Sequence, residues 1–553
     1  MFHFSRPKLI VNTKPIFAFE RWAHTTLRRR TKRGTTDATS RDHILHREIV
    51  ELISLKNIDS GRVRVSEDII NQFLNKSNSR NVTLRNVEIV AQTSEAEGLA
   101  IVPRLYETET AAIENDGDYR AGETFDVAET TLSKKKNHKL TVLKVPKTVP
   151  GDIVDVTLRR HYLNYAEADL NYIVLVKSPK LRHDKLVVCK HFDLCQGCQL
   201  QMVTYDEQLA FKQNVINKAY KYFYPELDRE SLCDFGHVID SPMQYGYRTK
   251  LTPHAKIPRK IHEDYLPLPL GFENVKIGSP VVDVDFCPIA VPSINEKLPF
   301  VRKSFQKNAM AQAKGEIKGQ LPSTLLLRDS VRELGSANTE CLTNPKHVVT
   351  ETVGNKVFQF PANDFFQNNR SILPIFLDFL RYKISDIEGL FKHIVDAYCG
   401  CGFLSISLSD AVPKGGKVFG IELAAPSVEH AQHNARLNGL SKEDAVFVQG
   451  NSDDMFTHSE FLSSKVTGEE SILLMNPSRK GSSTVFLKQV LQFKPKMIIY
   501  VSCNVFSQAR DLKHLEKLLE STDVKYDVES ITGFDFYPQT KHVESVAILK
   551  LRV

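Results

Sequence analysis

The chain has 553 residues, of which 42% are hydrophobic and 25% are charged, and its formal net charge is +7. This length exceeds what one hydrophobic core can organise, so several domains are expected. Nine cysteines are too few for a disulfide scaffold. The chain contains no run of about 18 apolar residues, so no membrane span is predicted and we expect no membrane partner.

The excess positive charge is concentrated at the amino terminus. Residues 1–33 contain nine Lys or Arg and one acid, so this segment contributes +8 and leaves the remaining chain at −1. A basic, acid-poor start with interspersed apolar residues is typical of a mitochondrial presequence. The alternative is a basic tail that contacts RNA or directs nuclear import, with the protein in the nucleus or cytoplasm. Any polyanion-binding surface elsewhere must then be a local patch.

The hydrophobic pattern predicts an α/β protein with several segments. Short spaced strands predict a small β-barrel of the OB-like kind, and strands mixed with Pro-rich loops predict an α+β central domain. Further on, apolar strands alternate with helices, which is typical of a Rossmann-like, doubly wound parallel sheet. The predicted segments are a presequence or basic tail (1–40), a linker with a helix (41–82), the barrel with an insertion (83–180), the central domain (181–360) and the doubly wound domain (361–553).

Three predicted strands of the last segment end in residues that suit an adenosyl ligand. The first is followed by Gly400-x-Gly402, where the missing side chains let the backbone approach a ligand beside a helix. The next ends at Glu422, a place where an acid commonly binds ribose hydroxyls. The third ends in the polar residues 450–453. The third glycine of the dinucleotide pattern is absent, which favours an adenosyl ligand without a pyrophosphate, although a structural turn would explain each feature alone.

A thiol and a carboxylate lie at the ends of two other predicted strands. Cys503 ends a buried strand, and Glu544 begins the last one, two residues after His542. A thiolate that adds to carbon 6 of a pyrimidine makes carbon 5 nucleophilic, and a base then removes the carbon-5 proton after methylation. The alternative is that Cys503 is a small core residue.

A compact cysteine cluster lies in the central segment. Its spacing is Cys189-x5-Cys195-x2-Cys198, and Cys287 is a plausible fourth ligand. Four thiolates suit either tetrahedral zinc or an iron–sulfur cluster, and the spacing alone leaves both open. Unmetallated core thiols are the third possibility.

Two strings of the chain resemble the RNA uracil-5-methyltransferase family. They are YVSCNVFSQARDL at residues 500–512 and DFYPQTKHVE at residues 535–544, and the likeness extends from about residue 83 to the end. The family uses S-adenosylmethionine to form 5-methyluridine in tRNA or ribosomal RNA, and the fungal tRNA enzymes are the members expected here. The resemblance implies that Cys503 is the nucleophile, that Glu544 is the general base, and that the partner is RNA, with tRNA expected. We expect a monomer.

Further motifs extend the resemblance to the binding residues. Phe365 and Gln367 match a segment that contacts the target base and the cofactor, and Tyr398 matches a cofactor contact, as do the glycine turn and Glu422. Residues 476–481 match the family's D-P-P-R-x-G motif, with Arg479 in place on the substrate side. The cofactor-side Asp of that motif is Asn476 here, and its second Pro is Ser478.

The resemblance also covers the first half of the chain. The part of the family with this four-cysteine arrangement holds a [4Fe–4S] cluster, so the likeness favours iron–sulfur over zinc. Residues 83–178 resemble the small RNA-binding barrel, called the TRAM domain, that precedes several family members.

Two rival functions remain open from the sequence. An RNA cytosine-5 methyltransferase shares the cysteine chemistry, but it would need a Pro-Cys context and an acid near N3 of the base. An RNA chaperone would keep the fold and lose the chemistry, and Asn476 and Ser478 are the residues that favour it.

Overall fold

The computed structural model describes residues 37–59, 62–63, 65–66, 82–103, 124–127, 139–229, 233–335 and 338–552. The predicted presequence therefore lies almost wholly outside the described residues, as do part of the linker and most of the barrel insertion. The predicted helix of the linker region is present as α1 (Arg41–Leu55).

A seven-stranded sheet forms the described part of the predicted barrel. Its strand order is β2-β3-β5-β7-β6-β1-β4, and Val87, Val154 and Leu143 lie in its buried core. No described pairing joins the edge strands β2 and β4, so barrel closure stays a prediction. The strands are β1 (Thr83–Glu88), β2 (Ala91–Gln92), β3 (Glu97–Pro103), β4 (Thr124–Asp126), β5 (Leu140–Pro146), β6 (Asp152–His161) and β7 (Tyr165–Val176).

The described part of the central segment combines helices with short strands, and its longest helix lies where the sequence predicts only strands and loops. A three-stranded sheet of order β13-β12-β9 lies beside two hairpins, β10–β11 and β14–β15. The helices are α2 (Tyr205–Phe223), α3 (Pro225–Arg229) and α4 (Pro292–Ala313). The strands are β8 (Asp234–Phe235), β9 (Lys250–Leu251), β10 (Gly271–Phe272), β11 (Val282–Asp283), β12 (Leu327–Val331), β13 (Thr339–Leu342), β14 (Val348–Val353) and β15 (Lys356–Pro361).

An eight-stranded sheet organises the last segment, in the order β18-β17-β16-β19-β20-β22-β21-β8. Its first five strands are parallel, β22 is antiparallel to β20, and β8 is contributed by the central segment. The strands are β16 (His393–Asp396), β17 (Lys417–Glu422), β18 (Ala445–Gln449), β19 (Ser471–Met475), β20 (Met497–Ser502), β21 (Lys525–Phe534) and β22 (Glu544–Arg552). The helices are α5 (Leu373–Ser385), α6 (Phe403–Ser407), α7 (Ala425–Leu437), α8 (Ser459–Ser464), α9 (Thr484–Phe493) and α10 (Val505–Leu519).

Both faces of this sheet are buried, which explains its uninterrupted apolar strands. Successive side chains of a strand point to opposite faces. Thus Leu474 and Ile499 pack in one core, while their neighbours Leu473 and Ile498 pack in the other. Parallel sheets of this kind require helices on both faces. None of the described helices is long and apolar enough to cross a membrane.

Candidate active site

The residues predicted for the cofactor follow strands that end at one edge of the sheet. The strands β16, β17, β19 and β20 are parallel, so their carboxyl ends meet there. The strand order reverses between β16 and β19, and ligands of such sheets bind in the crevice at that reversal. The glycine turn, Glu422, Asn476 and Cys503 all lie directly at or after these ends.

The glycine turn is held in a conformation that requires glycine. Gly400 has φ 55° and Gly402 has φ 85°, and Gly402 precedes α6. A Cβ at Gly402 would lie 2.6 Å from Cδ1 of Ile406, whereas a Cβ at Gly400 would meet no described atom within 4 Å. The Gly400 N–H donates to Glu422 at 3.2 Å, so the acid is fixed against the turn with open space in front of it.

Asp396 and Tyr398 shape the approach to this turn. Asp396 is buried, and its carboxylate accepts the Tyr398 N–H at 3.4 Å. Burial raises the pKa of Asp396 to about 7. Asp396 therefore braces the loop from inside. The Tyr398 hydroxyl donates to Ser482 at 3.4 Å, across the crevice between β16 and β19.

The segment with Phe365 and Gln367 presents an aromatic face and an unused acceptor. Phe365 is 70% exposed, which is unusual for a large apolar side chain on a well-packed loop. Gln367 is 6% exposed, and its side-chain oxygen has no hydrogen-bond partner in the described structure. Lys250 holds this loop in place, because its ammonium donates to the carbonyls of Asn363 and Asp364 at 2.7 and 3.1 Å.

The structure brings the predicted nucleophile and the predicted base together. Antiparallel pairing of Ser502 with Ser545 places the end of β20 beside the start of β22. Cys503 and Glu544 are thereby close enough to interact electrostatically, and the Arg479 side chain contacts the thiol. The Arg479 carbonyl accepts a hydrogen bond from the Asn504 amide at 2.8 Å, which holds the Arg479 loop to the nucleophile's own turn.

Burial dominates the protonation of this pair. It raises the pKa of the Cys503 thiol to about 11, the Glu544 charge adds to the rise, and the Arg479 charge opposes it. Burial also raises the pKa of Glu544 to about 8, again opposed by Arg479. Oε2 of Glu544 has no described hydrogen-bond partner. A carboxyl group with a pKa near neutrality and a free oxygen suits a group that takes and returns a proton.

Sequence reasoning missed two residues at this site. The first is Tyr537, which lies among the charged groups of the site. Burial raises the pKa of its hydroxyl, and Glu544, Arg248, Cys503 and Arg479 all act on it. Tyr537 lies inside the DFYPQTKHVE string at residues 535–544, where only Glu544 received a role, and Arg248 lies in the central segment, in none of the strings that received a role.

The neighbouring histidine was noticed but given no role. Burial and, after it, nearby cations lower the pKa of His542 to about 3, so the ring stays neutral at physiological pH. Asn476 is half-buried at the end of β19.

The four predicted metal ligands line a single cleft of about 2050 Å³. Burial raises the pKa of Cys198 to about 11 and of Cys287 to about 12, and the thiols of Cys189 and Cys195 act on both. Within the described ranges, no three His, Cys, Asp or Glu side chains are arranged to hold a single metal ion.

Comparison with known proteins gives the family. The model of the family described as tRNA (Uracil-5-)-methyltransferase matches residues 330–552. The tRNA (uracil(54)-C(5))-methyltransferase of Saccharomyces cerevisiae is 33% identical over 94% of this chain and 83% of the relative. The Schizosaccharomyces pombe protein of the same name is 38% identical over 73% of each chain. This chain belongs to the tRNA (uracil-5-)-methyltransferase family.

A solved structure agrees with this membership. The Pyrococcus abyssi tRNA (uracil-54, C5)-methyltransferase, crystallised with S-adenosyl-L-homocysteine, has a TM-score of 0.51 and 22% identity and covers 74% of this chain and 95% of its own. At that identity the likeness establishes a shared fold. As a family member, the protein is an S-adenosylmethionine-dependent RNA methyltransferase with the predicted α/β methyltransferase fold.

Proposed function

We propose that the protein forms 5-methyluridine at position 54 of tRNA, with Cys503 as covalent nucleophile and Glu544 as general base. The observation that carries the proposal is the adjacency of the two groups at the sheet edge that also carries the residues predicted for the adenosyl ligand. The names of both yeast relatives supply the tRNA and the position.

Each residue has a distinct task in this reaction. The Cys503 thiolate bonds to uracil C6, which places electron density on C5. C5 then takes the methyl group of S-adenosylmethionine, and S-adenosylhomocysteine is the leaving group. Glu544 then takes the C5 proton, the C5–C6 double bond re-forms, and the thiolate leaves. The contact of Arg479 with the thiol favours the thiolate form needed for attack.

The remaining site residues bind and orient. Gln367, Tyr398, Glu422 and Asn476 would hold the cofactor together with the glycine turn, whose open side fits a ligand that approaches the backbone. The exposed ring of Phe365 would stack on the target base, because every base offers an apolar face.

A set of labelling experiments tests the function. Purified protein should transfer labelled methyl to unmodified tRNA and not to tRNA in which uridine 54 is cytidine. Cys503→Ala should abolish transfer while leaving S-adenosylmethionine binding intact, and Cys233→Ala, a cysteine outside the site, serves as the matched control. Wild type should form a denaturation-resistant adduct with 5-fluorouridine tRNA, since fluorine does not leave as a proton.

Other results would redirect the assignment. Binding of tRNA and cofactor without any transfer would favour the RNA chaperone. Transfer to tRNA without an adduct would remove the covalent mechanism.

We propose in addition that Cys189, Cys195, Cys198 and Cys287 hold a [4Fe–4S] cluster. A tetrahedral zinc ion would draw four thiolates to within about 4 Å of one another, whereas a four-iron cluster holds its thiolates further apart. All four cysteines line one cleft, yet the described residues form no group compact enough for a single metal ion. Methyl transfer needs no electron, so the cluster would be structural.

Metal analysis tests the cluster. Anaerobically purified protein should be brown and contain about four irons per chain, and Cys195→Ser should bleach it. Cys341→Ser is the control, because Cys341 lies on β13 outside the cleft. One zinc per chain in place of iron would overturn the assignment.

We further propose that the N-terminal sheet is a TRAM-type RNA-binding barrel. Its support is the resemblance of residues 83–178 and the position of Lys144 and Arg160 on the wall of the same cleft as the four cysteines. Replacing Arg160 by Gln should weaken tRNA binding and reduce its salt dependence by about one charge, without a change in cofactor affinity.

Mitochondrial import is also a proposal, and it rests on residues 1–33, which the structure does not describe. A reporter fused to residues 1–40 should enter mitochondria, and Glu at the four arginines 21, 28, 29 and 30 should prevent entry. A nuclear or cytosolic reporter would instead indicate a basic tail.

A further inference from the structure

The contact between the N-terminal sheet and the cysteine loop is centred on Lys147. Lys147 directly follows β5, is 4% exposed, and has φ 60°. Its ammonium donates to the carbonyl of Cys198 and lies 4.0 Å from the centre of the Phe192 ring. Around it, Ala96 and Val149 of the N-terminal sheet pack in one apolar cluster with Phe192 and other residues of the loop.

The described contacts of this buried ammonium are the Cys198 carbonyl and the Phe192 ring, and neither is a carboxylate. The charged groups that favour its protonation against burial are the thiols of Cys198, Cys195 and Cys189, and after them the Asp193 carboxylate. A buried charge is stable only when it is paired. Protonated thiols are neutral and supply no such charge, whereas four thiolates around a zinc ion or a [4Fe–4S] core carry net negative charge.

A second buried donor points at the same cluster. The side-chain oxygen of Gln201 accepts the Cys189 N–H at 3.1 Å, which fixes the orientation of the amide. The amide nitrogen then has no oxygen or nitrogen acceptor among the described residues, although Gln201 is 1% exposed. The group that it faces is the Cys198 thiol. A metal-bound thiolate is a better acceptor than a thiol, so an occupied centre would satisfy this nitrogen.

We propose that Lys147 and Gln201 are the counter-charge and the hydrogen-bond donor of an anionic four-thiolate metal centre, and that the occupied centre thereby clamps the N-terminal sheet onto the cysteine loop. The inference rests on the proposed metal centre, but it holds for zinc as well as for iron. It makes docking of the N-terminal sheet depend on metal, because without metal the interface contains an uncompensated cation and an unsatisfied amide.

The clamp is tested by varying the charge at residue 147 in metal-loaded and in metal-free protein. Lys147→Met removes the charge at similar size, and Lys147→Arg keeps it and is the control. In metal-loaded protein, Lys147→Met should speed amide exchange in residues 146–151 and 187–201 by at least about tenfold. In protein stripped of metal by a chelator, the same change should leave exchange unchanged or slow it, because there it removes an unpaired buried cation. An equal acceleration in both states would show a packing effect and overturn the clamp.

Two further measurements keep the outcome decisive. If the metal-free protein unfolds, the rate at which each variant loses metal to a chelator is measured instead of amide exchange. Lys147→Met and Gln201→Leu should then lose metal at least about tenfold faster than wild type, with Lys147→Arg near wild type, and unchanged rates would overturn the inference. Elemental analysis separates the two proposals. If wild type contains no metal, the metal centre itself is overturned. If wild type contains metal but the Lys147 variants have no effect, only the clamp is overturned.

Discussion

The reacting residues differ in how far they could be read from the sequence. Cys503 and Glu544 stand in specific strings, so both could be named, and the pairing of β20 with β22 places them together. Arg248 and Tyr537 could not be assigned, because a motif does not state which of its side chains lie near the reacting groups. That depends on how the central segment packs on β22, which is a tertiary property.

At this scale the first prediction concerns Glu544. Glu544→Gln should still allow methyl transfer but not removal of the C5 proton, so a covalent enzyme–RNA complex should accumulate. Turnover should fall by about 10²–10⁴-fold, the usual range for loss of a general base. Denaturing gels with labelled tRNA would detect the complex, and near-normal turnover would assign the base to another residue.

The same substitution has a calculable effect on stability. The pKa of Glu544 is raised from 4.5 to about 8 in the folded protein. Its stabilising contribution is therefore complete below about pH 4.5 and is lost as the pH rises through 8, where folding requires a buried carboxylate. Glu544→Gln should gain about 1–3 kcal/mol of unfolding free energy relative to wild type between pH 7 and pH 9. A difference independent of pH would contradict the raised pKa.

Asn476 offers the second prediction. The family pattern has Asp here, and Asn476 is half-buried where β19 ends at the crevice. If the site has been weakened, Asn476→Asp should tighten cofactor binding, measured by calorimetry, without loss of stability. If the crevice has adapted to an amide, the new carboxylate is desolvated, and the unfolding free energy should fall by about 1–3 kcal/mol. Ser478→Pro restores the family residue at the second position that departs from the pattern. It changes the shape of the loop without changing its charge, and so separates the two effects.

At the scale of elements, the alternating strands and helices of the last segment could be predicted because their apolar runs are long and regular. Strand β8 could not, since Asp234 and Phe235 carry no pattern, and their pairing with β21 is decided by the chain's path. Strand β7 was also missed, because acids alternate with alanines in its first half and give little apolar signal there, although most of that half is buried against β5 and β6.

The third prediction concerns the link between α2 and the catalytic turn before β22. Lys212 is fully buried on α2, and its ammonium lies 2.5 Å from the Asp535 carboxylate and donates to the Tyr537 carbonyl at 3.1 Å. Lys212→Met should cost about 3–5 kcal/mol, since it leaves a buried carboxylate unpaired. Adding Asp535→Asn should recover most of the loss in urea unfolding. Additive costs of the two changes would mean that the pair is not coupled.

At the scale of the molecule, helix α1 joins two bodies that the sequence presents as separate. Ile44 packs in the core of the methyltransferase sheet, while Leu45 and Ile49 pack in a core with the N-terminal sheet. Between them, buried Glu48 accepts the Ser94 N–H at 2.7 Å and the Lys218 ammonium at 2.9 Å. The helix itself was predicted, but its partners were not, because an amphipathic pattern does not tell which surfaces it covers.

The last prediction follows from this arrangement. Ile49 is fully buried, so Ile49→Ala should cost about 2–5 kcal/mol where α1 meets the N-terminal sheet. Ile49 packs in the core with the N-terminal sheet and not in the core of the methyltransferase sheet, so the looser N-terminal sheet should raise KM for full-length tRNA and leave kcat nearly unchanged. Leu55→Ala, on the same helix but 73% exposed, should change neither. A fall in kcat with unchanged KM would mean that α1 supports the catalytic turn directly, through the methyltransferase core, and not through the position of the N-terminal sheet.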